Sequence, residues 1–177
     1  EPIDEGFIPP HHDFPSRVCA HWEELAQQAT AFGCRVCIMR FGLVLGTQGG
    51  ALAKMLPAYW CGLGGPLGSG KQMVSWISRT DLVYAIRFVL ENPQCRGIYN
   101  ATAPEAVSNA DFSKTLAKAL HRPHFLQTPA WVLKLLLGEM ADLLLNGQNV
   151  QPTRLLNAGF QFRYPTLPEA LQHIFED

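Results

Sequence analysis

The chain has 177 residues, 47% of them hydrophobic, and a formal net charge of −1. That is long enough for one domain with a real core, and too apolar for disorder over most of its length. No long basic run is present, which argues against electrostatic nucleic-acid binding, and no apolar run is long enough to cross a bilayer. No secretory signal is evident. The five cysteines, Cys19, Cys34, Cys37, Cys61 and Cys95, are odd in number and irregular in spacing, so a disulfide framework is not expected and a reducing cytoplasm is. The first residue is Glu1, not Met, and the opening reads as loop, so the chain is expected to be part of a longer protein.

Residues 1–13 are polar and Pro-rich and read as loop. His11, His12, Asp13 and His21 could hold a metal or simply be solvated; the Pro-rich setting favours solvated histidines, and no metal site is expected. Residues 16–32 read as a helix, with Ser16 or Asp13 as cap, an apolar stripe of Val18, Trp22, Leu25, Ala26 and Ala29, and Gly33 as its end. Residues 36–39 form an apolar run without alternation, the pattern of a strand buried on both faces in a parallel sheet. Cys34 and Cys37 look like half of a redox or zinc motif. No second pair exists, and residues three apart in a strand face opposite ways, so both are assigned to structure. Gly42 and Gly46 punctuate the segment after the strand. Ligands bind beyond the carboxyl ends of parallel strands, so residues 41–46 are either a site or an ordinary turn after a core strand.

Residues 50–61 suggest a helix with Leu52, Met55, Leu56 and Tyr59 on one face, kinked or broken at Pro57. Residues 62–71 are the most glycine-rich stretch. Gly65, Gly70 and Lys71 fit most of a phosphate-binding loop, but Gln72 stands where a magnesium-binding Ser or Thr is needed, and a strand at 73–77 follows instead of a helix. The stretch is either a flexible loop beside a substrate or a plain surface turn. Ser78, Thr80 and Asp81 can cap a helix running to about residue 91. A strand at 97–101, a helix opened by Ser108 and Asn109, and a brief strand at 125–126 follow. Residues 130–145 read as one helix; its most apolar part, 131–145, is interrupted by Lys134, Glu139 and Asp142, which fits a buried amphipathic helix better than a membrane span. Short helices are expected at 153–158, closed by Gly159, and at 167–176.

Several of these segments carry a resemblance. The helix at 16–32, Arg40-Phe-Gly-Leu-Val-Leu-Gly46, Trp76-Ile77 and residues 97–100 together resemble the second half of an extended short-chain dehydrogenase/reductase. Residues 63–70, 136–140 and 158–165 narrow this to its NAD(P)-dependent epimerase-like subfamily, that is, nucleoside-diphosphate-sugar epimerase-like proteins, some labelled cell division inhibitor. The resemblance implies an α/β fold: the C-terminal part of a Rossmann-like, doubly wound parallel sheet with a smaller, mainly helical substrate-side lobe. It implies a division into residues 1–127, the NAD(P)-binding epimerase-like portion, and 128–177, a helical extension. It also implies an NAD(P) cofactor, NADP by preference, passing Phe41, Gly42, Leu43 and Val44. A small-molecule substrate, a sugar nucleotide by family name, would meet Lys71, Gln72 and Trp76, with Trp76 either stacking or merely packing. The expected partners are that substrate and a second copy of the chain, not nucleic acid or membrane.

Two family features are absent. The glycine-rich dinucleotide loop would lie before residue 1. The Tyr-x-x-x-Lys pair, which shuttles a proton, should fall in the helix at 14–23, where Phe14, Arg17 and Cys19 stand instead. Catalytic residues are therefore unassigned. A non-catalytic dinucleotide sensor or partner-binding protein is the rival reading. The chain alone is expected to bind dinucleotide poorly, and its open sheet edge to favour self-association.

Overall fold

A computed structural model of the chain describes residues 2–7, 14–138 and 141–176. The strands are β1 (Pro2–Ile3), β2 (Cys37–Phe41), β3 (Leu43–Leu45), β4 (Met73–Val74), β5 (Trp76–Ser78), β6 (Gly97–Ala101), β7 (Val107–Ser108) and β8 (Asn149–Val150). The helices are α1 (Phe14–Gln28), α2 (Gly50–Trp60), α3 (Arg79–Glu91), α4 (Asn109–Ala119), α5 (Ala130–Leu137), α6 (Ala141–Leu145), α7 (Thr153–Asn157) and α8 (Leu167–Glu176). A 3-10 turn (Ala29–Phe32) follows α1, and Gly33 closes it at φ 77°.

The strands pair in parallel as β2 with β6, β3 with β5 and β1 with β8; β4 and β7 are antiparallel. β2 and β6 separate two layers. On one face Cys37 and Met39 join Ala85, Val89, Tyr99, Leu155 and Phe160 in an apolar cluster. On the other, Arg40 reaches Glu23 of α1 through two hydrogen bonds of 2.7 Å. Helices on both faces of parallel strands are the doubly wound arrangement expected from the sequence. The substrate-side lobe has its own core, in which Leu45, Leu52, Trp76, Phe112, Leu116 and Leu171 are buried together.

Among the described residues no further strand pairs with the outer edge of β6. Arg154 donates from its guanidinium to the Ile98 and Arg96 carbonyls at 2.8 and 2.7 Å, and Glu5 accepts the Asn100 N–H at 3.1 Å. Charged side chains thus satisfy the groups that would otherwise recruit a further strand. Arg154 also lies 4.7 Å over the Tyr99 ring.

Four local expectations are corrected. β2 is half-buried, not buried on both faces: among the described residues it pairs only with β6. The α1 stripe is open, with Trp22 and Leu25 exposed, because the described contact holding α1 to the sheet is the Arg40–Glu23 pair and not apolar packing. The helix expected over 130–145 is two, broken after Gly138, whose φ of 57° and ψ of −132° only glycine adopts readily; Glu139 and Met140 of the family-like motif, like His11, His12 and Asp13, lie outside the described residues. Residues 125–126 form no strand; Thr128 makes a single bridge to Leu67.

Ser78, not Asp81, caps α3, accepting the Asp81 N–H at 3.0 Å. Asp81 is fully buried and serves the tertiary fold. Its carboxylate accepts the Ser78 hydroxyl and the backbone N–H groups of Arg163 and Tyr164, at 3.0, 2.8 and 3.1 Å. Asp81→Ala strands all three donors and is expected to cost about 3 kcal/mol in urea unfolding; a loss under about 1 kcal/mol would show that these bonds are replaceable.

Candidate functional site

The parallel pairs β2–β6 and β3–β5 meet at Gly42. Phe41 is the last β2 residue in register with β6, opposite Ala101. Gly42 N–H still donates to the Ala101 carbonyl at 3.1 Å, but the next N–H, on Leu43, donates to Ser75 at 2.7 Å. From there β3 runs with β5, Leu43 opposite Trp76. The backbone changes partner within one residue, so the carboxyl ends of β2 and β6 open where the sheet divides. That is the position at which open α/β sheets hold ligands. Phe41 is the exposed member of the group at 57%, while Gly42, Leu43 and Val44 are half-buried.

Gly42 permits a close approach between strands. A Cβ there would stand 2.6 Å from the Ser75 carbonyl oxygen and 2.9 Å from the Thr102 methyl. Ser75 is the hub of the junction. Beyond its carbonyl bond to Leu43, its hydroxyl donates to the Gln148 carbonyl at 2.6 Å and accepts the Val150 N–H at 2.9 Å. Thr102 donates to the Val150 carbonyl at 3.3 Å, and the Asn100 amide to that of Gln151 at 3.0 Å. These contacts fix the segment before α7 to the mouth of the crevice.

The three residues assigned to substrate do not form one surface. Trp76 is fully buried, and its indole N–H donates to the Glu105 carbonyl at 3.0 Å. It is a core residue with no face to offer a ligand, because β5 lies inside the lobe. Gln72 is half-buried and its side chain donates to the Leu67 carbonyl at 3.0 Å. Lys71 is exposed.

The glycine-rich loop is packed, not mobile. Its backbone alternates bonds with the segment before α5: Gly68 N–H donates to Thr128 and Thr128 N–H to Pro66, both at 2.9 Å. Gly65 lies so close to the Leu126 carbonyl that no side chain fits between them. Asn109 accepts the Leu67 N–H at 2.8 Å and donates its own N–H to the Gln72 carbonyl at 2.8 Å. Glycine here buys contact, not freedom.

A group that sequence reasoning missed lies beyond β3. Its carboxyl end runs through Gly46 into the Gly49–Gly50 turn that starts α2, and no side chain caps that helix. Arg79, at the start of α3, packs beside Gly46, 3.7 Å from where its Cβ would be, and donates to the Gln48 side-chain carbonyl at 3.1 Å. Open backbone N–H groups, the helix dipole and a guanidinium together favour an anion. The available signal was a glycine cluster between a strand and a helix, masked by the richer one at 62–70.

Two tyrosines have altered acidity. Burial pushes the Tyr59 phenol above its ordinary value, against the opposing effect of its 2.7 Å bond to Ser113. Burial also raises Tyr99, reinforced by Cys95. Neither is a phenol made ready to release a proton near neutrality. Among the described residues no group of three or more His, Cys, Asp or Glu is arranged for a metal. Cys37 donates its thiol to the Cys95 carbonyl at 3.1 Å, a structural contact.

Comparison with known proteins agrees with this architecture. Residues 128–174 match the family described as Domain of unknown function (DUF1731). The chain is 41% identical over 165 residues to an epimerase family protein of Staphylococcus aureus (strain NCTC 8325 / PS 47), covering 93% of this chain and 55% of that protein. The crystal structure of human epimerase family protein SDR39U1 (isoform 2) with NADPH superposes with a TM-score of 0.91 at 36% identity, over 100% of this chain and 60% of that one. A nucleoside-diphosphate sugar epimerase from Corynebacterium glutamicum gives a TM-score of 0.76 at 30% identity, over 98% and 33%. The chain thus spans little more than half the length of the curated relative it matches.

Replacing Gly42 tests the junction. Gly42→Ala forces the methyl into the Ser75 carbonyl, and is expected to cost about 1–3 kcal/mol by thermal or urea unfolding, as overpacking does. Unchanged stability would mean that the strands separate freely at this point.

Proposed function

Since the chain belongs to the epimerase-like branch of the extended short-chain dehydrogenases/reductases, we propose that it forms the substrate side of an NAD(P)-dependent oxidoreductase or epimerase acting on a small anionic molecule, such as a sugar nucleotide. The observation that carries the reading is the parting of β2 and β3 at Gly42, at the carboxyl ends of two parallel strands, where open α/β sheets hold ligands. Phe41, exposed at the end of β2, offers an apolar face suited to a nicotinamide ring. No glycine loop for the pyrophosphate stands among the described residues, so Phe41 fits one end of the cofactor only. When bound, the nicotinamide supplies hydride chemistry.

The chain's own groups bind and orient. Arg79 and the open amino terminus of α2 attract the negative charge of the substrate, which aligns its remainder toward the crevice. Phe41 shields the reacting end from water. The buried Asp81 network anchors the first turn of α3, where Arg79 stands. NADP is the favoured cofactor because the human relative was crystallised with NADPH, and the protein acts in the cytoplasm as a homo-oligomer.

One observation favours the rival, a dinucleotide sensor without turnover: α1 offers neither Tyr nor Lys where the family keeps its proton-transfer pair. Titration calorimetry tests the dinucleotide binding that both readings require. A polypeptide that adds an amino-terminal glycine-rich loop to residues 1–177 is expected to bind NADPH; absence of binding to NADPH and NADH alike would end both readings. Arg79→Ala in that polypeptide is expected to weaken a nucleoside-diphosphate sugar by about tenfold while leaving NADPH affinity alone, the loss of one charge-assisted contact. Equal weakening of both ligands, or of neither, would remove Arg79 from the substrate site.

A further inference from the structure

The segment 60–68 and the segment 123–130 lie side by side. Gly62 packs on Pro123, Gly65 on Leu126, Leu67 bridges Thr128, and Gly68 meets Ala130. Along this seam stand six exposed large apolar side chains: Trp60, Leu63, Phe125, Leu126, Trp131 and Leu135. Phe125 is 77% exposed, Trp131 69% and Leu135 78%, so they stand out from the surface and do not line a groove. On α5, Leu133 faces the core, while Trp131 and Leu135, four residues apart, share the outward side.

The charge around this seam is one-sided. Residues 25–80 contain no Asp or Glu, and neither do residues 112–138, although the whole chain is near neutral. Within the second run, Lys114, Lys118, Arg122 and Lys134 are basic. The acidic partner described beside the seam is Asp142, 3.6 Å from Lys134, both side chains largely exposed. A second copy of the chain would set basic against basic and is disfavoured. Trp131 and Leu135 stand on the outward side of α5, so the face they offer is convex and suits a flat surface better than a docked peptide.

We infer that this surface attaches the protein peripherally to an anionic lipid bilayer, with Trp60, Phe125, Trp131 and Leu135 entering the interface and Arg122 and Lys118 meeting the headgroups. Protruding aromatic and aliphatic side chains with a basic border are what such an interface holds. The absence of a membrane partner expected from the sequence rested on the lack of a spanning segment, and a surface-lying face needs none. This inference is independent of the reading of the crevice.

Co-sedimentation of the 177-residue chain with vesicles tests it. Binding is expected to vesicles of mixed phosphatidylglycerol and phosphatidylcholine, not to phosphatidylcholine alone, and to fall as salt rises. Arg122→Glu is expected to weaken it about fivefold or more. Trp131→Ala combined with Leu135→Ala is expected to weaken it about tenfold or more. Both changes are on exposed side chains, and unchanged circular dichroism shows that the fold persists. Trp22→Ala, on the exposed stripe of α1, should leave binding intact. Equal binding to neutral vesicles, no binding at all, or loss with Trp22→Ala but not with the seam variants would each overturn the inference. So would retention on polyglutamate without vesicle binding, which would point to an acidic protein, or seam variants that abolish only self-association, which would point to a second copy.

Discussion

A strand can ladder with one neighbour along each edge, and at Gly42 the backbone must leave one ladder and enter another. It does so between consecutive N–H groups, one on Ala101 and the next on Ser75. No side chain fits at the crossing, because Ser75 and Thr102 close around it. The direction that β3 takes from this point fixes the start of α2, and the direction of β5 beside it fixes Ser78 and Arg79. Ser75 then uses its hydroxyl to hold residues 148 and 150. The strand junction, the Arg79 side chain beside Gly46 and the entry into the carboxy-terminal segment therefore share one geometric origin.

Buried polar groups fasten the remainder. Ser78 with Asp81 and Ser108 with Asp111 present the same pattern, a Ser cap followed three residues later by Asp. At Ser108 the carboxylate returns to the cap hydroxyl at 2.6 Å and stays exposed. At Ser78 it is buried, and it also takes two backbone N–H groups more than eighty residues away. A local signature that ends one helix start becomes, in the other, the joint between α3 and the carboxy-terminal segment. The difference lies in what packs against the helix, which the signature does not contain.

That distinction governs what could be read from the sequence. Helix ends with local causes were legible: Gly33, Ser78, Ser108 and Gly159 end or start elements where expected. The parallel strand running into residues 41–44 was legible too, because an apolar run followed by glycine has few other uses. The loop at 62–71 was not. Glycine permits motion when nothing lies near it and close packing when something does, and here the neighbour is sixty residues away at 126–128. Trp76 stayed open between two roles for the same reason: an indole can stack on a ligand or fill a core, and only the position of β5 inside the lobe decides for the core. Arg79 went unnoticed since a single basic residue at a helix start carries no mark until α2 is seen to begin beside it.

The proton economy of the site sharpens the choice between enzyme and sensor. Hydride movement at a hydroxyl carbon requires a group that accepts or returns a proton at the same oxygen. A phenol does this near neutrality only if its pKa is lowered, by a nearby cation for example. Here burial raises both Tyr59 and Tyr99. Tyr84 lies under the Arg163 guanidinium at 3.7 Å, and Tyr164 stacks on His173 at 4.3 Å, both in the region of α3 and α8 and not at residues 41–44. The basic groups near the junction are committed as well: Arg40 to Glu23, whose hydrogen bonds hold its pKa above the usual value, and Arg79 to Gln48. A guanidinium binds charge and does not exchange protons at neutral pH. Among the described residues, then, no tyrosine is set to exchange a substrate's proton near neutrality. For the enzyme reading, that exchange falls to another group; for the sensor reading, no such group is needed.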